Sequence, residues 1–157
     1  AILAGVGAFL AIGLLSVIDS ALGNIVLIMA PFGATAVLVF GVPQSPLAQP
    51  KNVILGHLIT AFVGVFFTQC IGVSTLTLAL ATGIAVSAML ITKTTHPPAG
   101  ANPLLIMLSG QSWGFLITPT ATRVCIVFSQ NRLARFLEPR QSWRLCPIFS
   151  VDFYIVV

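Results

Sequence analysis

Hydrophobic residues in this chain fall in long blocks with no water-facing alternation, and the few polar positions punctuate those blocks. Ala1 to Ile18 is apolar and rich in Gly and Ala. At about 1.5 Å per residue it crosses most of a hydrocarbon core of about 30 Å. Asp19 is expected to end it. Ala21 to Phe40 is a second apolar stretch, interrupted by Ala30-Pro31-Phe32-Gly33-Ala34-Thr35. Two readings stay open there: a proline-kinked spanning helix, or a discontinuous helix that stops partway through the bilayer. The linker Gly41 to Asn52 contains Pro43, Pro46 and Pro50 and reads as a stiff, ordered loop. Val53 to Val73 then spans, with Gly56, Thr60, Gly64, Thr68 and Gly72 forming one small-residue ridge suited to close helix approach. Thr75 to Thr92 spans again, with Ala79, Gly83 and Ser87 as a second ridge, and Lys93 ends it. Trp113 to Ser129 is a weaker last span, broken by Pro119, Thr120, Thr122 and Arg123. The pattern predicts an all-α, polytopic transmembrane bundle with two broken helices. Residues 1–129 form the membrane domain and 130–157 an atypical basic tail.

The second break is Thr95-His96-Pro97-Pro98-Ala99-Gly100-Ala101-Asn102-Pro103-Leu104-Leu105. Consecutive prolines hold His96 and Pro97 extended and stop any helix running through. A short helix can begin at Pro98 or Pro103, with its bare amides and positive dipole end at membrane depth, where they attract anions. Pro31-Phe32-Gly33-Ala34 and Pro98-Ala99-Gly100-Ala101 share Pro-x-Gly-Ala, each between two spans, which suggests two three-element halves. If both broken segments cross the membrane, Lys51, Lys93 and the C-terminal arginines share one side, with Asp19 opposite. If both are re-entrant, the two lysines land opposite the arginines. The first arrangement obeys the positive-inside rule and makes the halves inverted.

Composition narrows the function classes. With 57% hydrophobic and 6% charged residues and a mean hydropathy of +1.07, the expected solvent is a lipid bilayer. The net charge of +4 is carried largely by Arg132, Arg135, Arg140 and Arg144 beyond the last long apolar stretch, a placement that speaks against nucleic-acid binding. Cys70, Cys125 and Cys146 have no metal-like spacing and read as packing residues. His57 and His96 form no His-x-x-x-His or Glu-containing pattern, and no intramembrane carboxylate accompanies them. No metal, cofactor or catalytic residue is therefore expected, and the chain is not read as an enzyme.

His57 has an ordinary reading as a buried imidazole bonded to a neighbouring carbonyl. For His96 the functional reading is stronger, because non-helical backbone at membrane depth is tolerated only against protein or a wet cavity. The candidate substrate-binding set is His96, Gly100, Ala101, Asn102, Gly33, Ala34 and Thr35. Thr94 could line the same cavity, and Gln69 is read as interhelical glue. His57, Lys51, Lys93 and Asn52 are pore or structural candidates. The lysines mark a membrane interface or funnel an anion toward a pore mouth.

Three separated motifs resemble the HPP family of integral membrane proteins: Gly33-Ala34-Thr35-Ala36-Val37-Leu38-Val39-Phe40-Gly41; Ser45-Pro46-Leu47-Ala48-Gln49-Pro50-Lys51-Asn52-Val53 with Gly56-His57-Leu58; and Thr94-Thr95-His96-Pro97-Pro98-Ala99-Gly100-Ala101. The resemblance covers roughly Ala1 to Trp113. It implies a small multi-spanning protein, usually described with four transmembrane helices, in a bacterial inner membrane or plastid envelope. It also implies a link to nitrite transport, known for plastid members. Pro119 to Ser129 departs from the clean last helix of the family, although Asn131-Arg132-Leu133-Ala134 resembles the sequence that follows it.

The expected function is a passive or proton-coupled transporter or channel for a small inorganic anion, with nitrite the family-based substrate and His96 a titratable donor. A non-transporting sensor or anchor for a partner domain is the alternative. Small-residue ridges also suit subunit contacts, so a homo-oligomer is compatible with either.

Overall fold

The computed structural model describes residues 2–21 and 30–117. These residues form helices joined by turns, with no strand among them. Helix α1 (Ile2–Ala21) runs past Asp19, so the carboxylate does not end it. Helix α2 (Ala30–Ala36) continues without interruption as a π turn over Val37–Gly41. Helix α3 (Pro50–Phe66) likewise ends in a π turn, Phe67–Ile71. Helix α4 is Thr75–Ile91 and helix α5 is Asn102–Leu108. Two 3₁₀ turns, Pro46–Ala48 and Pro97–Ala101, precede α3 and α5.

Local chemistry explains the boundaries. Pro50 occupies the first turn of α3, where its missing N–H has no intrahelical partner, so the helix takes in Lys51 and Asn52, which the sequence reading assigned to the linker. Ser74 and Thr77 form a reciprocal capping box at the start of α4. At its end, Thr94 N–H donates to Met89 O (2.9 Å) and Lys93 N–H to Leu90 O (3.1 Å), a Schellman closure. Lys93 itself takes the left-handed position (φ 53°) usually given to glycine. The same closure ends α5, with Gly110 at φ 63°.

The long helices present apolar side chains outward: Ile2, Phe9 and Val17 on α1, Leu58 and Phe62 on α3, and Leu76, Ile84 and Ile91 on α4 are all exposed. An apolar surface of this extent belongs in hydrocarbon. Two helical stretches are long and apolar enough to span alone, Ile2–Ala21 and Pro50–Ile71.

Helix α3 is the axis of the bundle. On its ridge, a Cβ added at Gly56 would stand 2.9 Å from His96 Cβ, and one at Gly64 would stand 3.0 Å from Pro103 Cα and 3.1 Å from Ile106 Cβ. Further along, Gln69 Nε2 donates to Gln111 O at 3.1 Å, the glue role expected of that residue. His96, Pro103 and Gln111 therefore meet α3 in ascending order. The segment Pro97–Leu108 runs parallel to α3 for most of its length, so it traverses the bundle and does not turn back. This supports the crossing arrangement for the second broken segment. Helix α2 runs the other way: Val39 packs with Val53, while Phe32 and Thr35 reach His57.

Two ridge expectations are corrected. Gly72 leaves the α3 stripe, because the π turn shifts the helical register and Gly72 takes φ 100° beyond it. On α4 the buried face is Ala81, Ala85 and Met89, whereas Ala79, Gly83 and Ser87 line a groove on the outside. The expected last span lies outside the described residues beyond Ile117, as do Cys125, Cys146 and the basic tail.

Candidate functional site

The two Pro-x-Gly-Ala segments converge on His57. This imidazole is fully buried in the third turn's depth of α3, about 10 Å along the helix from Pro50. Phe32 stacks on its face, with ring centroids 5.0 Å apart and planes 9° from parallel. Thr35 Oγ1 lies 3.1 Å from His57 Nε2, and Asn102 Nδ2 lies 2.9 Å from His57 Nδ1. His96 is equally buried, with Nε2 3.0 Å from the same Thr35 oxygen and Nδ1 2.8 Å from Leu47 O. Asn102 Nδ2 also donates to Thr60 Oγ1 (2.9 Å), whose own hydroxyl donates to Gly56 O (2.8 Å).

With both rings neutral, donor and acceptor chemistry sets the direction of this chain. Leu47 O can only accept, so His96 Nδ1 carries a proton and, in a neutral ring, Nε2 accepts from Thr35. The amide of Asn102 donates to His57 Nδ1, so His57 carries its proton on Nε2 and donates it to Thr35. The order is Asn102 to His57 to Thr35 to His96 to Leu47 O. With both rings neutral, this order makes them opposite tautomers joined by one hydroxyl, whose oxygen also lies 3.0 Å from Pro31 O.

Outside the rings, Asn52 Nδ2 donates to Pro46 O (3.0 Å) and Thr95 O (3.2 Å), clamping the linker to the strand of chain that carries His96. Thr94 is buried with its hydroxyl 2.7 Å from that of Thr92. Lys51 and Lys93 are exposed at the beginning of α3 and the end of α4, which are adjacent because those helices are antiparallel.

Of the predicted site residues, His96, Asn102, Thr35 and His57 come together. Gly33 and Ala34 do not. They lie inside α2 on its exposed side, and a Cβ added at Gly33 would meet nothing within 4 Å, so they offer no helix end to an anion. Gly100 and Ala101 sit within the 3₁₀ turn, because helical backbone already starts at Pro97 and continues into α5. Pro97 is accordingly helical and only His96 is extended (φ −138°, ψ 98°). Sequence reasoning missed Leu47 O, Phe32 and Thr60 as members of the cluster. A backbone carbonyl has no side-chain signal. Phe32 lay inside the quoted motif and Thr60 on the quoted ridge. Among the described residues no group of His, Cys, Asp and Glu is arranged to hold a metal ion.

Residues 1–143 match the family described as HPP, transmembrane region. The chain belongs to the HPP family. It is an integral membrane protein of all-α architecture, and the His-Pro-Pro run for which the family is named is the turn that delivers His96 to His57. Among curated proteins, one transmembrane protein of Dictyostelium discoideum is 39% identical over 105 residues, covering 62% of this chain and 34% of the relative. A second transmembrane protein of the same organism is 33% identical over 126 residues, covering 75% of this chain and 44% of the relative. This chain thus spans less than half the length of either. No solved structure matches.

Proposed function

We propose that this HPP domain moves a small inorganic anion across a membrane, without bond-making chemistry, and that the His57–Thr35–His96 cluster is its polar way-point. The observation that carries the reading is a fully buried pair of imidazoles bridged by one hydroxyl, placed where two helical segments of opposite direction meet. Burying so many polar groups in a lipid-facing bundle is costly, and a hydrophobic core of the same volume would hold the helices at least as well. Intramembrane polar clusters of this kind mark permeation and proton routes. Nitrite is the substrate suggested by the family resemblance, and nothing in the ring geometry selects it over other monovalent anions.

The test is flux into proteoliposomes carrying the full-length protein, over a panel including nitrite, nitrate, formate and chloride. Uptake of at least one anion by the protein, reduced in His96→Ala and His57→Ala variants that insert normally, is the expected result. Equal uptake by protein and empty liposomes would favour the sensor or anchor reading instead.

A further inference from the structure

We infer that His57, Thr35 and His96 form a proton-binding site, able to take one added proton without moving a heavy atom, so that an anion passing this domain travels with a proton. The inference deepens the anion-transport reading and rests on it.

The hydroxyl of Thr35 has two acceptors in reach. One is His96 Nε2 at 3.0 Å and the other is Pro31 O, also at 3.0 Å. In the neutral cluster the single hydroxyl proton goes to His96 Nε2, and His57 Nε2–H donates to the oxygen. When a proton from water bonds to the Nε2 lone pair of His96, that nitrogen becomes a donor. Thr35 Oγ1 then accepts from both imidazoles through its two lone pairs, and its own proton swings to Pro31 O. Each contact needed by the second state already exists in the first. No electron is transferred, and the cluster charge rises by one.

Donor supply points the same way. In the neutral cluster the ring N–H groups and the Thr35 hydroxyl are spent on Leu47 O, Thr35 and His96, and Asn102 Nδ2 donates to His57 Nδ1 and Thr60. The group left over is an acceptor, the buried Asn102 Oδ1, which has no hydrogen-bond partner among the described residues. An anion gains nothing from a spare acceptor.

The charge balance completes the case. Among the described residues, the cluster is faced by Phe32 and Thr35 from α2, Leu47 O from the linker, Gly56 and Thr60 from α3, Met89 from α4, Thr94 from the turn after it, and Asn102 from α5, none of them charged. The charged side chains among the described residues are Lys51 and Lys93, both exposed at one end of the bundle, and Asp19. Asp19 lies about 18 Å along α1 from Gly7, the residue that packs on Phe40 near that end. None of these described groups is a carboxylate beside His96, so a monovalent anion there would balance the cation that protonation forms. Proton and anion favour each other's binding, reciprocally.

The experiment uses the full-length protein in proteoliposomes with an internal pH dye, a nitrite gradient and the membrane potential clamped at zero, with empty liposomes subtracting the leak of nitrous acid. Nitrite uptake is expected to acidify the lumen one proton per anion. Thr35→Val should lower coupled uptake about tenfold, and Thr35→Ser, which keeps the hydroxyl, should restore most of it. In ¹⁵N-histidine spectra of the same protein, nitrite should raise the pH at which His96 gains its second N–H by about one unit, the linkage counterpart of tenfold tighter binding. Uptake without acidification, with an unmoved His96 titration or with Thr35→Val unchanged, overturns the inference and leaves anion transport standing. No uptake of any anion overturns both.

Discussion

Thr35 and Asn102 bond to opposite nitrogens of one imidazole ring, that of His57. Each is the residue that follows Pro-x-Gly-Ala in its own segment, Pro31-Phe32-Gly33-Ala34 and Pro98-Ala99-Gly100-Ala101. The two segments run in opposite directions along α3, so equivalent positions approach the ring from its two edges. The four letters the two segments share thus have a geometric counterpart around His57.

That clamp predicts the resting tautomers. In ¹⁵N spectra of histidine-labelled protein in nanodiscs at neutral pH, His57 should carry its proton on Nε2 and His96 on Nδ1. The same tautomer in both rings would contradict the hydrogen-bond order.

Asn102→Leu should be destabilising by about 1–3 kcal/mol, since it leaves His57 Nδ1 and the Thr60 oxygen without the donor they now share. Its effect on His96 should be smaller, because His96 is held by Thr35 and Leu47 O. Thermal stability in detergent and His96 line widths measure the two effects separately.

Glycine positions on α3 and α4 should differ sharply. Gly56→Ala would drive a methyl to within 2.9 Å of His96 Cβ and 3.0 Å of Thr94 O, so it should cost stability of about 1–3 kcal/mol and displace His96. Gly83→Ala meets nothing within 4 Å on the outer side of α4 and should be neutral or stabilising. Thermal unfolding of both variants, with anion flux for Gly56→Ala, makes the comparison.

The parallel course of α5 beside α3 can be tested by cross-linking. A cysteine pair replacing Gln69 and Gln111 should join readily under mild oxidation, in a background where Cys70, Cys125 and Cys146 are replaced by Ser. A pair replacing His57 and Gln111 should not join. A re-entrant turn would bring Gln111 back toward Lys51 and reverse the result.

Lys93 holds a left-handed backbone position (φ 53°) that costs a side-chain-bearing residue about 1 kcal/mol. Lys93→Gly should raise stability by up to that amount, and Lys93→Val should lower it. Both are read by the unfolding midpoint.

Much of the fold was legible without coordinates, because its causes are local. Runs of apolar residues dictate spanning helices, Pro97 and Pro98 forbid α-helix through His96, and Gly56, Thr60 and Gly64 every fourth residue make one flat side on α3. The interruption at Pro31 was a weaker signal. Gly33 and Ala34 fell inside α2. The choice of buried face on α4 was also hidden, since Ala79, Gly83 and Ser87 and the packed row Ala81, Ala85 and Met89 are both small or apolar enough to be covered.

By itself, then, the sequence determined an all-helical membrane protein with helix-breaking residues around two motifs and a histidine in or beside each partner element. Only the tertiary structure decided that both histidines meet on one threonine, that a carbonyl from the linker orients His96, and that the His-Pro-Pro segment continues through the bundle beside α3. The physical reason is that local propensity acts through neighbours along the chain. A hydrogen bond between distant residues needs both distance and donor direction, and those exist only once the helices have packed.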